Sequence, residues 1–373
     1  MATRPFQVGI VGYGSSAKTF HIPFIQASPW FQLHSVVQRQ AAASILDASD
    51  SPSNVTIYTS FDDMVKDEQV QLVVIATPPE SHFELASLAL NANKHVVVEK
   101  PFTSSFSEAE KLISLASERN LLLTVYHNRR WDSDFLTLQS YVTQGLLGRI
   151  VEFESHFDRH RPRLPENTWK AHPSPGNAGI YDLGTHLIDQ AVQLFGMPAR
   201  VTGIIQSQRA TAINTTKLQD SFTVLLHYAD GLLATLKAGV VSPERQQLRF
   251  WVRGDGGSFR KLGFDIQESQ LKGGMQPAER GFGIDEEGET DMCFVTMVQD
   301  GGGVLSLTEQ NIRCSSVVAH GKATYGEFYR RLAAALVCDE VEQLPVSAEQ
   351  AAQVIRLVEI AVESSNLGKT LLV

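Results

Sequence analysis

The sequence contains few cysteines, no long apolar run and no excess of positive charge. Cys293, Cys314 and Cys338 lie far apart with no Cys-x-x-Cys spacing, so we expect reduced thiols rather than a disulfide framework or a zinc knuckle. No segment approaches the roughly 18 apolar residues of a membrane helix, and the first residues lack the long apolar stretch of a secretory signal. The net charge of −9 argues against a general nucleic-acid or anionic-membrane surface. These absences predict a cytoplasmic protein with neither nucleic acid nor membrane as a partner.

The hydrophobic pattern changes along the chain and indicates two domains. Early apolar strands such as "QLVVIAT" at 71–77 alternate with helical stretches, which is typical of a parallel sheet covered on both faces. Longer, half-exposed strands follow, with a hairpin turn at 229–231. Residues 254–290 are rich in glycine and charge and are interpreted as loops. The predicted fold class is α/β, with an N-terminal Rossmann doubly wound parallel sheet (1–125) and a C-terminal α+β domain on a large, mostly antiparallel open sheet (126–373).

A glycine-rich loop follows the first strand. The segment "VGIVGYGSSAKTFH" contains Gly12-x-Gly14-x-x-Ala17, the pattern of a dinucleotide-binding turn between a strand and a helix. Gly12 would allow the tight turn, Gly14 would let the backbone approach a pyrophosphate, and Ala17 would let the helix sit close to the strand. The free N–H groups of the helix N-terminus then attract the anion. The loop predicts a nicotinamide dinucleotide cofactor.

The end of the second strand favours NADP(H) over NAD(H). An NAD site usually places an acidic residue there to hold the ribose 2′-OH, whereas this chain has Gln38 and Arg39. A guanidinium suits a 2′-phosphate by charge and by planar hydrogen bonding. The alternative is that Arg39 is a solvated surface residue.

The fifth predicted strand ends in "HVVVEKPF" at 95–102. Ligands of open α/β sheets bind outside the carboxyl ends of the strands, so Lys100 is expected to point towards the cofactor cleft beside Glu99. Pro101 cannot extend the ladder and would set the direction of the lysine. Lys100 could then polarise a substrate hydroxyl or carbonyl. A Glu–Lys surface pair that merely ends a strand is the alternative.

Four segments together resemble the Gfo/Idh/MocA oxidoreductases: the glycine loop, "ATPPESH" at 76–82, "EKP" at 99–101 and "GIYDLGTHLID" at 179–189. Within that family the chain looks most like the NADP-dependent scyllo-inositol dehydrogenases. The resemblance implies a Rossmann domain followed by a domain whose open sheet carries substrate contacts and often an oligomer interface. It implies a homodimer or homotetramer, and it implies that Lys100 is catalytic.

The resemblance also places the family's Asp-x-x-x-His pair on Asp182 and His186. Residues four apart share one face of a helix, and alcohol oxidation needs a base that titrates near neutral pH, as histidine does. Asp182 could orient His186 or the substrate. A structural helix pair is one alternative. A metal site is another, but we expect no metal because the cofactor takes the hydride.

Further polar residues complete the candidate set. Cofactor contacts are assigned to Thr77, Pro78, His82, Glu99, Asn128 and Arg130, and polyol contacts to Lys100, Arg159, Arg161, Trp169, Asp182 and His186. The alternatives are that His82 only packs, that the arginines at 129–130 pair with nearby aspartates in a hinge, and that those at 159 and 161 are solvated.

The sequence as a whole predicts an NADP(H)-dependent dehydrogenase or reductase of a sugar or polyol, with a cyclitol such as inositol as the first candidate substrate. Two alternatives stay open. One is reduction of another carbonyl, such as an aldose, a 1,5-anhydrofructose-like ketone or an intermediate of a specialised pathway. The other is a non-catalytic dinucleotide-binding regulator, although such relatives tend to lose the catalytic trio that this chain retains at 100, 182 and 186.

Overall fold

The computed structural model describes residues 4–38, 55–163, 174–209, 218–284, 292–300, 305–314, 317–318, 321–322 and 324–373. Arg39 and Trp169 therefore lie outside the described residues. The chain divides into two units: the first comprises 1–127, 268–282 and 325–353, and the second comprises 128–267, 283–324 and 354–373. The segments 268–282 and 325–353 thus group with the first unit, whereas the sequence analysis placed them in a second domain beginning at 126.

The first unit contains a parallel sheet with strand order β3-β2-β1-β4-β5-β6 among the described residues. The strands are β1 (Phe6–Val11), β2 (Phe31–Val37), β3 (Thr56–Tyr58), β4 (Leu72–Ile75), β5 (His95–Val98) and β6 (Leu123–Val125). All four residues of β4 are fully buried, as expected for a strand covered on both faces. The order reverses between β1 and β4, which is where open α/β sheets bind ligands. The predicted Rossmann sheet is confirmed.

Helices alternate with these strands. They are α1 (Ile22–Ala27), α2 (Phe61–Lys66), α3 (His82–Asn91) and α4 (Phe106–Glu118), followed much later by α7 (Gln267–Lys272), α8 (Gly326–Cys338) and the start of α9 (Ala348–Leu367). The N-terminus of α4 shows how the sequence sets a helix start: the Ser105 hydroxyl accepts the Glu108 N–H at 3.3 Å, and the Glu108 carboxylate accepts the Ser104 N–H at 3.1 Å. Such caps satisfy N–H groups that have no partner within the helix.

The second unit is built on a large sheet with strand order β14-β13-β12-β11-β7-β10-β9-β8-β17. Its strands are β7 (Ile150–His156), β8 (Arg200–Gln206), β9 (Ser221–His227), β10 (Leu233–Ala238), β11 (Leu248–Gly254), β12 (Gly257–Leu262), β13 (Met292–Asp300), β14 (Leu305–Arg313) and β17 (Leu371–Leu372); β15 (Val317–Val318) and β16 (Gly321–Lys322) form a separate pair. Among the described strands of this sheet, only β7 and β10 pair in parallel. The mostly antiparallel sheet is confirmed, as is the hairpin between β9 and β10.

Helices α5 (Ser133–Thr143) and α6 (Thr185–Phe195) and the end of α9 pack on this sheet. The core joins Phe153 of β7, Leu187 of α6 and Val358 of α9. At Gly203 of β8 a Cβ would lie 2.0 Å from the carbonyl oxygen of Ala361, so only glycine permits α9 to approach the strand this closely.

Two sequence-based expectations are wrong. Residues 254–290 are not all loop, because they include β12 and α7. The alternation in β12 was obscured because Lys261 lies on the buried face beside Phe259; its ammonium donates to the carbonyl oxygens of Leu262 and Gly263 at 2.5 and 3.2 Å. The charge is thus satisfied inside the fold.

The expectation of three reduced thiols is also wrong, since Cys293 and Cys314 form a disulfide. Cys293 lies on β13, opposite Ile312 of β14, and Cys314 directly follows that strand. Antiparallel pairing therefore brings two cysteines 21 residues apart to a Cα–Cα distance of 6.2 Å, which a search for close sequence spacing misses. Cys338 is exposed and has a free thiol.

Candidate active site

The glycine loop connects β1 to the first helical turn at the carboxyl end of the parallel sheet. Gly12 has a φ of +95°, and a Cβ there would lie 2.7 Å from the carbonyl oxygen of Ala76 and 2.9 Å from Cγ2 of Thr77. A Cβ on exposed Gly14, in contrast, would meet no atom of the described residues within 4 Å apart from its chain neighbours. Ala17 is fully buried. The three positions thus have the properties that the sequence analysis assigned to them: a tight turn, an open approach to the backbone and close helix packing.

A single π-helical turn follows the loop, at Ala17–His21, and continues into α1. Such wide turns occur frequently at functional sites. Ser16 and His21 stand at the two ends of this turn, and both side chains contact Glu99, the residue after β5. The Ser16 hydroxyl hydrogen-bonds to Oε1 of Glu99, and Nε2 of His21 lies 3.0 Å from the same oxygen. The glycine-loop helix is thereby tied to the end of β5.

Glu99 is a buried carboxylate with several donors. Burial alone would raise the pKa of Glu99, but the hydrogen bond and charge of His21, the charge of Lys100 and the Ser16 hydroxyl lower it to about 2. The backbone N–H of Lys100 donates to Oε2 of Glu99 at 3.0 Å. Glu99 is therefore ionised at neutral pH, and its two oxygens are fully used by neighbouring groups.

Lys100 is half-buried and is followed by a cis peptide bond to Pro101. It lies at the carboxyl end of β5, as predicted. Gln38 follows β2 at the same edge of the sheet, and its backbone N–H donates to the carbonyl oxygen of Tyr58 at 2.9 Å. The described part of the chain thus places the cofactor candidates of the first unit along one sheet edge.

His82 links the segments that follow β4 and β5. It is fully buried, and its Nδ1 and Nε2 lie 2.8 and 2.9 Å from the carbonyl oxygens of Pro101 and Thr77. Burial lowers the pKa of His82 while these carbonyl contacts oppose that shift. Thr77 and Pro78 are further held by Ser81, whose hydroxyl lies 2.7 Å from that of Thr77 and donates to the Pro78 carbonyl. His82 therefore positions the loop beside the cofactor candidates rather than presenting a free imidazole.

These features of the first unit fit a dinucleotide. Open space beside the Gly14 backbone, a helical turn that starts directly after the loop and a half-buried lysine at the end of β5 match the requirements for a pyrophosphate and a nicotinamide. Gly12, Gly14 and Ala17 would hold the pyrophosphate, and Thr77, Pro78 and Lys100 would line the nicotinamide side.

The second unit carries Asp182 and His186 on one helical segment. Residues Ile180–Gly184 form another π-helical turn that continues into α6. Asp182 is half-buried near the start, and His186 is 5% exposed in the first turn of α6. The predicted helix is confirmed, although the wide turn at its start was not predicted. A buried imidazole one turn from a carboxylate is suited to proton transfer.

Residues 128–131 form a short turn whose side chains are buried. Nε and Nη2 of Arg130 donate to the two carboxylate oxygens of Asp189 at 2.8 and 2.6 Å. Nη1 of Arg129 donates to Asp132 at 3.3 Å. Two-point pairing of this kind fixes a guanidinium firmly. Arg129 thus pairs with a nearby aspartate, as the structural alternative expected, whereas Arg130 pairs with an aspartate on α6. The cofactor contacts assigned to Arg130 and to buried Asn128 stay predictions.

A buried polar network surrounds Arg249, which is 1% exposed. Its guanidinium donates to Ser155 on β7 and Gln190 on α6 at 2.8 and 2.7 Å, and Nε lies 3.7 Å from Asp134. Burial raises the pKa of Asp132 to about 8; Arg129 opposes this, nearby Asp265 and Asp134 reinforce it, and Arg249 opposes it. Sequence analysis missed this network because its members come from five separate segments.

The assigned polyol contacts lie near the end of β7. The half-buried guanidinium of Arg159 stacks over the ring of Phe157 at 4.6 Å, a favourable cation–π arrangement. Arg161 is exposed, and its carbonyl accepts from Nε of Arg209 at 2.7 Å. Strand β7 ends at His156, before both arginines. Trp169 lies outside the described residues.

Two residues that the sequence analysis missed, Ser16 and His21, contact Glu99 directly. The sequence signal was a histidine nine positions after Gly12, at the end of the first helical turn. A buried polar side chain requires a partner, and that rule alone would have singled out His21 for inspection.

Comparison with protein families agrees with both units. Residues 6–127 match the model of the oxidoreductase family with an NAD-binding Rossmann fold. Residues 135–260 match the model of the GFO/IDH/MocA C-terminal domain. The two matches fall on the parallel sheet and on most of the antiparallel one.

Similar proteins cover nearly the whole chain. An uncharacterized oxidoreductase of Schizosaccharomyces pombe is 38% identical over 98% of this chain and 99% of its own length. The oxidoreductase YdgJ of Escherichia coli is 37% identical over 98% of both chains. The scyllo-inositol 2-dehydrogenase (NADP(+)) IolW of Bacillus subtilis is 32% identical over 98% of this chain and 95% of its own.

A solved structure agrees with the fold described above. The protein yvaA of Bacillus subtilis superposes with a TM-score of 0.88 at 31% identity, covering 100% of this chain and 99% of its own. Among the described residues, no helix combines the length and apolar character needed to cross a bilayer. The same part of the chain contains no cluster of three or more His, Cys, Asp or Glu arranged to hold a metal ion.

Proposed function

Because the chain belongs to the Gfo/Idh/MocA family of oxidoreductases, we propose that it is an NADP(H)-dependent dehydrogenase of a sugar or polyol, with a cyclitol such as inositol as the first candidate substrate. One feature of the sequence supports the proposal most: the motifs that carry the family resemblance contain Lys100, Asp182 and His186, and the resemblance implies catalytic roles for all three. Relatives that keep the fold but act as regulators tend to lose this set.

The chain's own residues would prepare the cofactor and the proton. The bound nicotinamide supplies hydride acceptance or donation. Gly12 and Gly14 shape the loop for the pyrophosphate, and Lys100, at the end of β5, hydrogen-bonds the reacting oxygen and polarises it. His186 takes the proton that leaves a hydroxyl during oxidation and returns it during reduction. Asp182, one turn away, orients the imidazole or a substrate hydroxyl.

The choice of NADP(H) rests on Gln38 and Arg39, where an NAD site would carry an acid, and is supported by a relative named as NADP-dependent. The test is the ratio of kcat/KM for NADP+ and NAD+ in the parent and in Arg39→Ala. We expect a clear preference for NADP+ in the parent that falls at least tenfold in the variant. Equal use of both cofactors by the parent, or an unchanged preference in the variant, would refute this assignment.

The choice of a cyclitol is supported by the same relative, whose name gives scyllo-inositol as its substrate, and by the arginines at 159 and 161, which can donate to polyol hydroxyls. Initial rates with NADP+ across cyclitols and aldoses test it. Turnover of a cyclitol that collapses in His186→Asn supports the proposal. Turnover of aldoses or ketones alone would favour another carbonyl substrate. Tight NADPH binding without turnover of any substrate would favour a regulator. We also propose a homodimer or homotetramer, which light scattering of the purified protein would measure.

A further inference from the structure

Glu99 lies between two segments that both serve the proposed reaction. Ser16 and His21 belong to the helical turn that follows the glycine loop, and Lys100 is the next residue in the chain. The Glu99 carboxylate accepts from Ser16 and His21 on Oε1 and from the Lys100 N–H on Oε2. One buried anion thus contacts the segment that would seat the pyrophosphate and the backbone of the proposed catalytic lysine.

The imidazole of His21 is held on three sides within the first unit. The imidazole is 0% exposed, and its Nδ1 lies 2.7 Å from the hydroxyl of Tyr329 on α8. The centroid of the Tyr126 ring lies 4.4 Å from the centroid of the imidazole. Because the Glu99 carboxylate is ionised and can only accept, Nε2 of His21 donates to it, while Nδ1 faces the Tyr329 hydroxyl. Both ring nitrogens therefore have a polar partner.

We propose that His21 is a positioning residue: its bond to Glu99 locks the glycine-loop helix against the end of β5, and so sets both the seat of the pyrophosphate and the direction of Lys100. Apolar packing could hold the helix in place, but packing alone does not fix the direction of a contact with Oε1 of Glu99. A charge-assisted hydrogen bond does fix that direction, because a buried carboxylate that loses a donor must move to find another one. Movement of Glu99 would carry the Lys100 N–H with it.

Two amide substitutions at His21 separate the effect of losing the hydrogen bond to Glu99 from the effect of losing the packing of the ring. In His21→Gln the amide nitrogen can occupy the position of Nε2 and still donate to Glu99. In His21→Asn the shorter amide matches Nδ1, so it keeps the contact with Tyr329 but cannot reach the carboxylate. Both variants replace a buried ring by a smaller polar group, so each serves as the matched control for lost packing.

The measurements are the Kd for NADPH, from fluorescence of the purified full chain, and kcat with the best substrate of the panel. We expect His21→Asn to raise the Kd about tenfold and to lower kcat about tenfold, and His21→Gln to restore both to within about threefold of the parent. The Tm of each variant is recorded, and all assays run well below the lower Tm.

This inference rests on the proposed function for Lys100, but the two can fail separately. If the parent turns over no substrate, the proposed function fails, while the Kd values of the two variants still decide whether His21 positions the cofactor seat. Equal losses in His21→Asn and His21→Gln would show that ring packing, not the bond to Glu99, matters and would overturn the inference. Parent-like Kd and kcat in His21→Asn would overturn it as well.

Discussion

The two glycines of the phosphate loop should respond to alanine in opposite ways. At Gly12 the added methyl would meet the carbonyl oxygen of Ala76 at 2.7 Å and its carbon at 2.8 Å, and the φ of +95° disfavours any side chain. Backbone strain of this kind costs about 1–3 kcal/mol, and the neighbouring strand end must also shift. At about 2–4 °C per kcal/mol for a domain of this size, Gly12→Ala should lower the Tm by roughly 4–10 °C.

At Gly14 the added methyl would meet no protein atom within 4 Å, and its φ is not positive. Gly14→Ala should therefore leave the Tm within about 2 °C of the parent, or raise it slightly because the unfolded chain loses freedom. The methyl would instead occupy the approach of the pyrophosphate, and we expect the Kd for NADPH to rise at least tenfold, about 1.4 kcal/mol. Differential scanning fluorimetry and NADPH fluorescence titration measure the two effects. Equal loss of Tm in both variants, or parent-like NADPH affinity in Gly14→Ala, would refute the reasoning.

Three further predictions concern buried charges. The pKa of Glu99 is about 2, well below the ordinary value, so its contribution to stability is present above about pH 4.5 and lost as pH falls through 2. At about 1.4 kcal/mol per pKa unit this contribution is roughly 3 kcal/mol, and urea midpoints in acid should fall less steeply for Glu99→Gln than for the parent. The pKa of Asp132 is raised to about 8, so the contribution of the protonated carboxyl to the free energy of unfolding is complete below about pH 4 and is lost as pH rises through 8. Asp132→Asn should therefore gain stability relative to the parent between pH 6 and pH 9. The same dependence of stability on pH in both proteins would contradict this. Arg130→Gln should cost about 3–5 kcal/mol because the buried carboxylate of Asp189 loses the charged, two-point partner that Arg130 provides. Arg130→Leu combined with Asp189→Leu should recover most of that loss in urea denaturation. A higher NADPH Kd without loss of stability would instead support the cofactor role.

The sequence predicted most of the fold because the strand signals are local. Apolar runs such as 72–75, bounded by polar residues and glycines, mark buried parallel strands, and the loop at 12–17 has a spacing that few other structures require. The strand at 6–11 and the helix at 185–195 lie where the patterns placed them. Local patterns therefore sufficed for the Rossmann sheet and for the hairpins of the second sheet.

The contacts around the candidate residues depended on long-range pairing and could not be predicted. His21 meets Tyr329 across 308 residues, and the disulfide joins strands whose register is set only by folding. The partner of Arg130 shows the same limitation, because Asp189 on α6 lies 59 residues away in the sequence. Buried polar partners are chosen by the tertiary fold, whereas the sequence shows only that such groups must find partners.

The most direct test of the central claim follows the hydride itself. Carbon-deuterated scyllo-inositol would be incubated with NADP+ and the parent protein, and the NADPH product would be analysed by mass spectrometry. The account predicts that one deuterium appears in NADPH and that the yield collapses in Lys100→Ala, although that variant still binds NADPH. NADPH formed without deuterium, or equal deuterium transfer in Lys100→Ala, would contradict the account.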